Sequence, residues 1–80
     1  MVLTIDVGNT NIVIGGYIGD KLELVARINT EKNKTEDEYI ILLRDIIFSK
    51  GYELDIVEGA IISSVVPQTT YILKSAYSLV

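Results

Sequence analysis

The chain has 80 residues, 49% of them hydrophobic, with 11 acidic against 7 basic side chains and a net charge of −4. This is one small globular domain or part of a larger one, too apolar for a disordered tail and without a run near the roughly 20 apolar residues a bilayer span needs. With no cysteine and no histidine, disulfides, thiolate nucleophiles, Cys/His zinc sites and histidine triads are excluded, and the acidic balance argues against a nucleic-acid surface.

The opening Met1 to Asp6 lacks the basic region of a signal peptide, so secretion is not expected. Val2 to Val7 is a β-branched apolar run interrupted by Thr4 and Asp6 and predicts a buried strand. Gly8-Asn9-Thr10-Asn11 reads as a turn, with Gly and Asn able to supply positive φ. Ile12 to Ile18 predicts a second strand, Ile12, Ile14 and Ile18 sharing one face, with a bulge or close backbone approach at Gly15-Gly16. Gly19-Asp20 is a two-residue hairpin turn. Leu22 to Ile28 follows as a third strand, with Leu22, Leu24, Ala26 and Ile28 inward and Glu23 and Arg27 outward.

After a polar loop, Thr35-Glu36-Asp37-Glu38 spells a capping box, and Tyr39, Leu42, Leu43, Ile46 and Ile47 form the apolar stripe of a helix that Gly51 stops. Ile41 and Phe48 lie on the opposite side and could touch another part of the full molecule or a partner, though two isolated apolar residues on a helix need no special explanation. Three acids in the first turn suit the helix dipole better than they suit a metal. Ile56 to Val66 is almost continuously apolar and predicts a strand buried on both faces, central in a parallel sheet. Pro67 fits a first helical position, so a second helix should start at Val66 or Pro67 and run past Ser75, with no stop signal through Ser78-Leu79-Val80. Three antiparallel strands, a helix, a strand and a helix give an α/β class with a mixed sheet. That order is most of a ribonuclease-H-like unit, whose last strand and helix are expected beyond Val80.

Candidate chemistry concentrates at Asp6-Val7-Gly8-Asn9-Thr10-Asn11. Gly8 lets backbone approach a bulky anion, the amides from Gly8 to Asn11 can form a nest of donors, and Asp6 can hold a divalent cation directly or through water. The same residues equally suit an Asx-type turn, with Asp6 bonding local amides and Thr10 capping the hairpin. Arg27 could reach a phosphate, a partner subunit or only Glu23. Ser63 and Ser64 could line a ligand cleft or cap the following helix.

The string Leu3-Thr4-Ile5-Asp6-Val7-Gly8-Asn9-Thr10-Asn11-Ile12 resembles the first phosphate motif of type III pantothenate kinases, of the acetate-kinase/sugar-kinase/Hsp70/actin superfamily. Arg27-Ile28-Asn29-Thr30 and Ile61-Ile62-Ser63-Ser64-Val65-Val66-Pro67 agree with it, and the likeness runs over essentially the whole chain. The resemblance implies an actin-like ATPase fold and phosphorylation of pantothenate by ATP, the first step of coenzyme A synthesis, in a cytoplasmic homodimer using magnesium and potassium or ammonium. It implies an ATP-phosphate loop of Asp6, Val7, Gly8, Asn9, Thr10, Asn11, Ile12 and Val13, with Asp6 beside the magnesium. The family's Gly-x-Asp-Arg base motif and its Asp-x-Gly-Thr-Ala-Thr motif do not occur here, so the catalytic base, the pantothenate pocket and the second domain are expected outside residues 1–80, and this segment alone should be inactive. The alternatives are a non-catalytic nucleotide-binding regulator, like relatives labelled transcriptional accessory factors, and another small-molecule kinase of the superfamily. No nucleic-acid or membrane partner is expected.

Overall fold

A computed structural model describes residues 1–78, with side chains through Ser75. Strand β1 (Val2–Val7) turns back into β2 (Asn11–Ile18), which turns again into β3 (Lys21–Asn29). Helix α1 (Glu36–Ser49) follows, then a 3-10 turn at Leu54–Ile56, strand β4 (Gly59–Ser64) and helix α2 (Pro67–Ser78). The sheet order is β3-β2-β1-β4, antiparallel throughout except where β1 meets β4 in parallel. Element order and sheet type match the sequence expectation. The bare ends at Leu79 and Val80 lie outside the described residues.

Alternation along β1 divides the sheet into two faces. Leu3, Ile5 and Val7 are buried with Ile12, Ile14 and Leu24 on the face that both helices cover. Tyr39, Leu43 and Ile47, spaced by four on α1, complete that core together with Val66 and Leu73. Each such large side chain contributes about 1.5–3 kcal/mol on burial. The opposite face carries Val2, Thr4 and Asp6 of β1 alongside Val13, Arg27 and Ser63, and there Val25 and Ile61 remain 53% and 65% exposed.

Both ends of α1 follow from local sequence. Thr35 Oγ1 accepts from the Glu38 amide at 3.3 Å, and Glu38 Oε1 accepts the Thr35 amide at 3.0 Å, the capping box expected of Thr-x-x-Glu. At the other end Gly51 adopts φ 92°, and the Gly51 and Tyr52 amides donate to the Phe48 and Ile47 carbonyls, a Schellman stop.

Three expectations are corrected. The segment from Ile56 is not strand: Leu54–Ile56 closes as a 3-10 turn, and β4 starts at Gly59 and ends at Ser64. Leu54 and Ile56 turn toward the core while Glu53 and Asp55 stay exposed, and Glu58 stands between this turn and the strand that opens at Gly59. Nor is β4 buried on both faces among the described residues, where the helices cover only one side of the sheet and Ile61 faces the other. Leu22 is 47% exposed rather than inward, because the register shifts between Gly16 and Tyr17 so that Leu24 faces Gly16 and Leu22 faces Tyr17. Ile18, at the end of β2 beside the turn, is also exposed. The bulge sits where Gly15-Gly16 announced it, and Gly16 has no room for a side chain: a Cβ there would fall 2.8 Å from Leu24 and from Met1.

Candidate functional site

The β1–β2 connection lies at the carboxyl end of β1, a strand flanked on both sides, and so at the end of the sheet where open α/β folds place ligands. Asp6 is exposed, and its carboxylate has neither a hydrogen bond nor an ion pair among the described residues. An Asx turn would have consumed that carboxylate locally, and this one is left to solvent.

The loop itself is held from two directions. The Gly8 amide donates to the Asn11 carbonyl at 2.8 Å, closing the loop on itself. From the end of β3, the Thr30 amide donates to the Thr10 carbonyl at 2.9 Å, and the Thr30 hydroxyl donates to the Gly8 carbonyl at 2.8 Å. Asn11 Nδ2 donates to Thr10 Oγ1 at 3.0 Å, which arranges the side chains at the exposed tip.

Two details differ from the sequence reading. None of residues 8–11 has positive φ, so the loop is not a nest of the αR–αL kind. The Gly8 amide is engaged by Asn11, which removes it from the free donors and leaves Asn9 and Thr10 as the exposed pair. Gly8 is accounted for by crowding instead: a Cβ there would stand 3.2 Å from the Asn11 carbonyl oxygen, closer than such contacts ordinarily come.

The flanking candidates separate by face. Ser63 pairs in register with Asp6 on the exposed face, so it stands beside the carboxylate at the strand ends. Ser64 turns to the helix entry, where its Oγ accepts from the Val66 amide at 2.8 Å and donates to the Val66 carbonyl at 2.9 Å. One serine is thus at the site and the other organises the start of α2. Arg27 shares a row with Val13 and Asp6. It forms no pair with Glu23, which is the unpaired residue of the bulge and lies four positions back along an extended strand; Glu23 instead meets Lys21 at 3.8 Å and the Tyr52 hydroxyl at 3.4 Å.

Beside the loop a cavity of about 400 Å³ is lined by Asn11, Arg27, Asn29, Glu31, Lys34 and Leu42. Lys34 contacts Glu31 at 3.4 Å and lies 5.9 Å from the centroid of the Tyr39 ring. Burial raises the Tyr39 phenol above its ordinary value, with the Lys34 charge opposing. Thr30 is the site residue that the sequence did not assign. Its only signal was membership of the Arg27–Thr30 string, because its partner Gly8 lies 22 positions away.

Comparison with known proteins identifies the family of the chain. A family model described as type III pantothenate kinase matches residues 2–79. A type III pantothenate kinase of Brevibacillus brevis is 52% identical over 67 residues, covering 84% of this chain and 26% of that protein. One from Geobacter sulfurreducens is 49% identical over 74 residues, covering 92% and 29%, and one from Moorella thermoacetica is 42% identical over 73, covering 91% and 29%. The chain spans less than a third of the length of these relatives. With a family-model match over residues 2–79 and relatives about half identical across most of its length, this chain belongs to the type III pantothenate kinase family.

Proposed function

We propose that this chain is the nucleotide-binding N-terminal, ribonuclease-H-like portion of an enzyme that transfers the γ-phosphoryl group of ATP to pantothenate, the first step of coenzyme A synthesis. The observation that carries the reading is the Asp6 carboxylate, exposed and unpartnered at the end of a central strand and followed at once by the braced loop Gly8–Asn11. Asp6 to Val13 form the phosphate loop in this reading. The Asn9 and Thr10 amides, with the Thr10 hydroxyl and the Asn9 and Asn11 side chains, bind and orient the phosphates. Positioning and charge neutralisation do most of the work in phosphoryl transfer, and this loop contributes to both.

Magnesium fits Asp6. The described residues hold no cluster of three or more metal-binding side chains, and magnesium needs none, since one or two carboxylates with phosphate oxygens and water suffice. Bound there, it neutralises polyphosphate charge. The base that takes the substrate proton, the pantothenate pocket and the site of a potassium or ammonium ion belong to the remainder of the polypeptide in this reading. Homodimeric assembly and a cytoplasmic location rest on family membership. No helix among the described residues is long and apolar enough to cross a membrane.

The test is ADP release by the full-length kinase on adding pantothenate. Asp6→Asn should abolish most turnover; full activity in that variant would remove the role given to Asp6. Residues 1–80 alone should show no pantothenate-dependent ADP release.

A further inference from the structure

We propose that Thr30 is a positioning residue for the nucleotide phosphates, acting through the Gly8–Asn9 peptide; this rests on the phosphate-loop reading above. In a trans peptide the carbonyl and the N–H of the next residue point in opposite directions. The Thr30 hydroxyl holds the Gly8 carbonyl toward the end of β3 at 2.8 Å. The Asn9 N–H is therefore directed away from β3, on the exposed side of the loop. The Thr30 amide holds the Thr10 carbonyl at 2.9 Å and fixes the Thr10–Asn11 peptide in the same way. One residue thus sets the peptide on each side of the Asn9-Thr10 pair.

The brace matters because Gly8 is the residue least able to hold a peptide plane by itself. Without the hydroxyl bond, rotation of the Gly8–Asn9 peptide would turn a carbonyl oxygen, instead of an N–H, toward a polyanion. The two halves of the brace respond differently to substitution. The amide bond survives any side chain at position 30 except proline, whereas the hydroxyl bond survives only where a hydroxyl remains. Thr30→Val keeps the shape and removes the donor; Thr30→Ser keeps the donor.

In the full-length kinase, Thr30→Val should raise KM for ATP about tenfold, the size of one lost hydrogen bond. KM for pantothenate should stay within twofold, and Thr30→Ser should restore KM for ATP. If Val lowers the melting temperature but leaves KM for ATP unchanged, the residue is a structural tie only and the proposal falls. A measurement on the unsubstituted enzyme guards against a variant that does not fold: the Asn9 amide resonance should move on adding ATP, and an unmoved resonance overturns the proposal. Asp6→Asn is the separate arm. If it abolishes turnover while Thr30→Val is silent, the phosphate loop stands without its brace; if it too is silent, the phosphate-loop reading itself has failed.

Discussion

The two hairpin connections of the sheet solve the same geometric problem with different means. Between β2 and β3, Gly19-Asp20 reverses the chain in two residues, with Gly19 at φ 60° and no positive φ at Asp20, the pattern of a II′ turn. A Cβ on Gly19 would meet nothing within 4 Å, and among the described residues no backbone hydrogen bond ties the turn to an element beyond its own strands. Between β1 and β2, the chain spends three residues, uses no positive φ, crowds Gly8 against Asn11 and draws two hydrogen bonds from Thr30. Reversal needs only the first arrangement. The second adds a fixed set of polar groups beside an unpartnered carboxylate, which is what binding an anion through a metal and amides requires.

Substitution of the two aspartates should break the symmetry most. Asp6→Asn should reduce turnover of the full-length kinase on the order of 10²-fold or more, as loss of a key electrostatic group does, while Asp20→Asn should leave it within about twofold, since isolated surface changes are near neutral. Equal losses would show that the β1–β2 loop is not special. The two glycines should then separate binding from stability. Gly19→Ala forces a side chain into a left-handed conformation costing about 1–2 kcal/mol and should lower the urea midpoint without changing KM for ATP. Gly8→Ala, whose new Cβ meets the Asn11 carbonyl at 3.2 Å, should weaken ATP binding with a smaller effect on stability.

A third contrast concerns hydroxyls. The Thr69 side chain is 2% exposed and its Oγ1 has no partner among the described residues. Thr69→Val should therefore raise stability by about 1 kcal/mol, since an unsatisfied buried hydroxyl is replaced by a methyl. KM for ATP should be unchanged, in opposition to Thr30→Val. Smallest is the effect of the cap that anchors the far side of the β3–α1 loop. Thr35→Ala should cost about 1 kcal/mol. The Thr35 amide and hydroxyl hold the Glu38 carboxyl below its ordinary value of 4.5. Because that folded-state value is lowered, the contribution of ionised Glu38 is complete above the unfolded value and fades as pH falls below 4.5 toward the folded one. The stability gap between the protein and Glu38→Gln, followed by circular dichroism, should narrow over that range.

Features written in adjacent residues could be read without a structure. The Thr35–Glu38 box, the Gly51 stop and the Gly19 turn each depend on bonds or sterics within a few positions, and Gly15-Gly16 marked the bulge although the groups that crowd it, Leu24 and Met1, are farther away in sequence. The boundary of β4 and the outward turn of Leu22 could not, because the mostly apolar segment from Ile56 carries no clear period and a bulge inverts alternation beyond it. At the site, Asp6 and its loop were visible as an unusual run of polar residues between two apolar strands. Thr30 was not, since its role exists only once β3 lies against the loop. Ser63 and Ser64 were ambiguous for the same reason: their two directions are fixed by pairing with β1, which no local pattern encodes.

The placement of β1 has a consequence for biosynthesis. Strand β1 pairs on one side with β2, the next strand in sequence, but its other edge pairs with β4, in the register Val2 to Gly59. Until that later segment emerges, a nascent hairpin stack presents an open apolar margin on which Asp6 is the single charged position. Parallel pairing across such a separation forms slowly and invites association between growing chains. The later β4 emerges after β1–β3, the longer that vulnerable interval lasts.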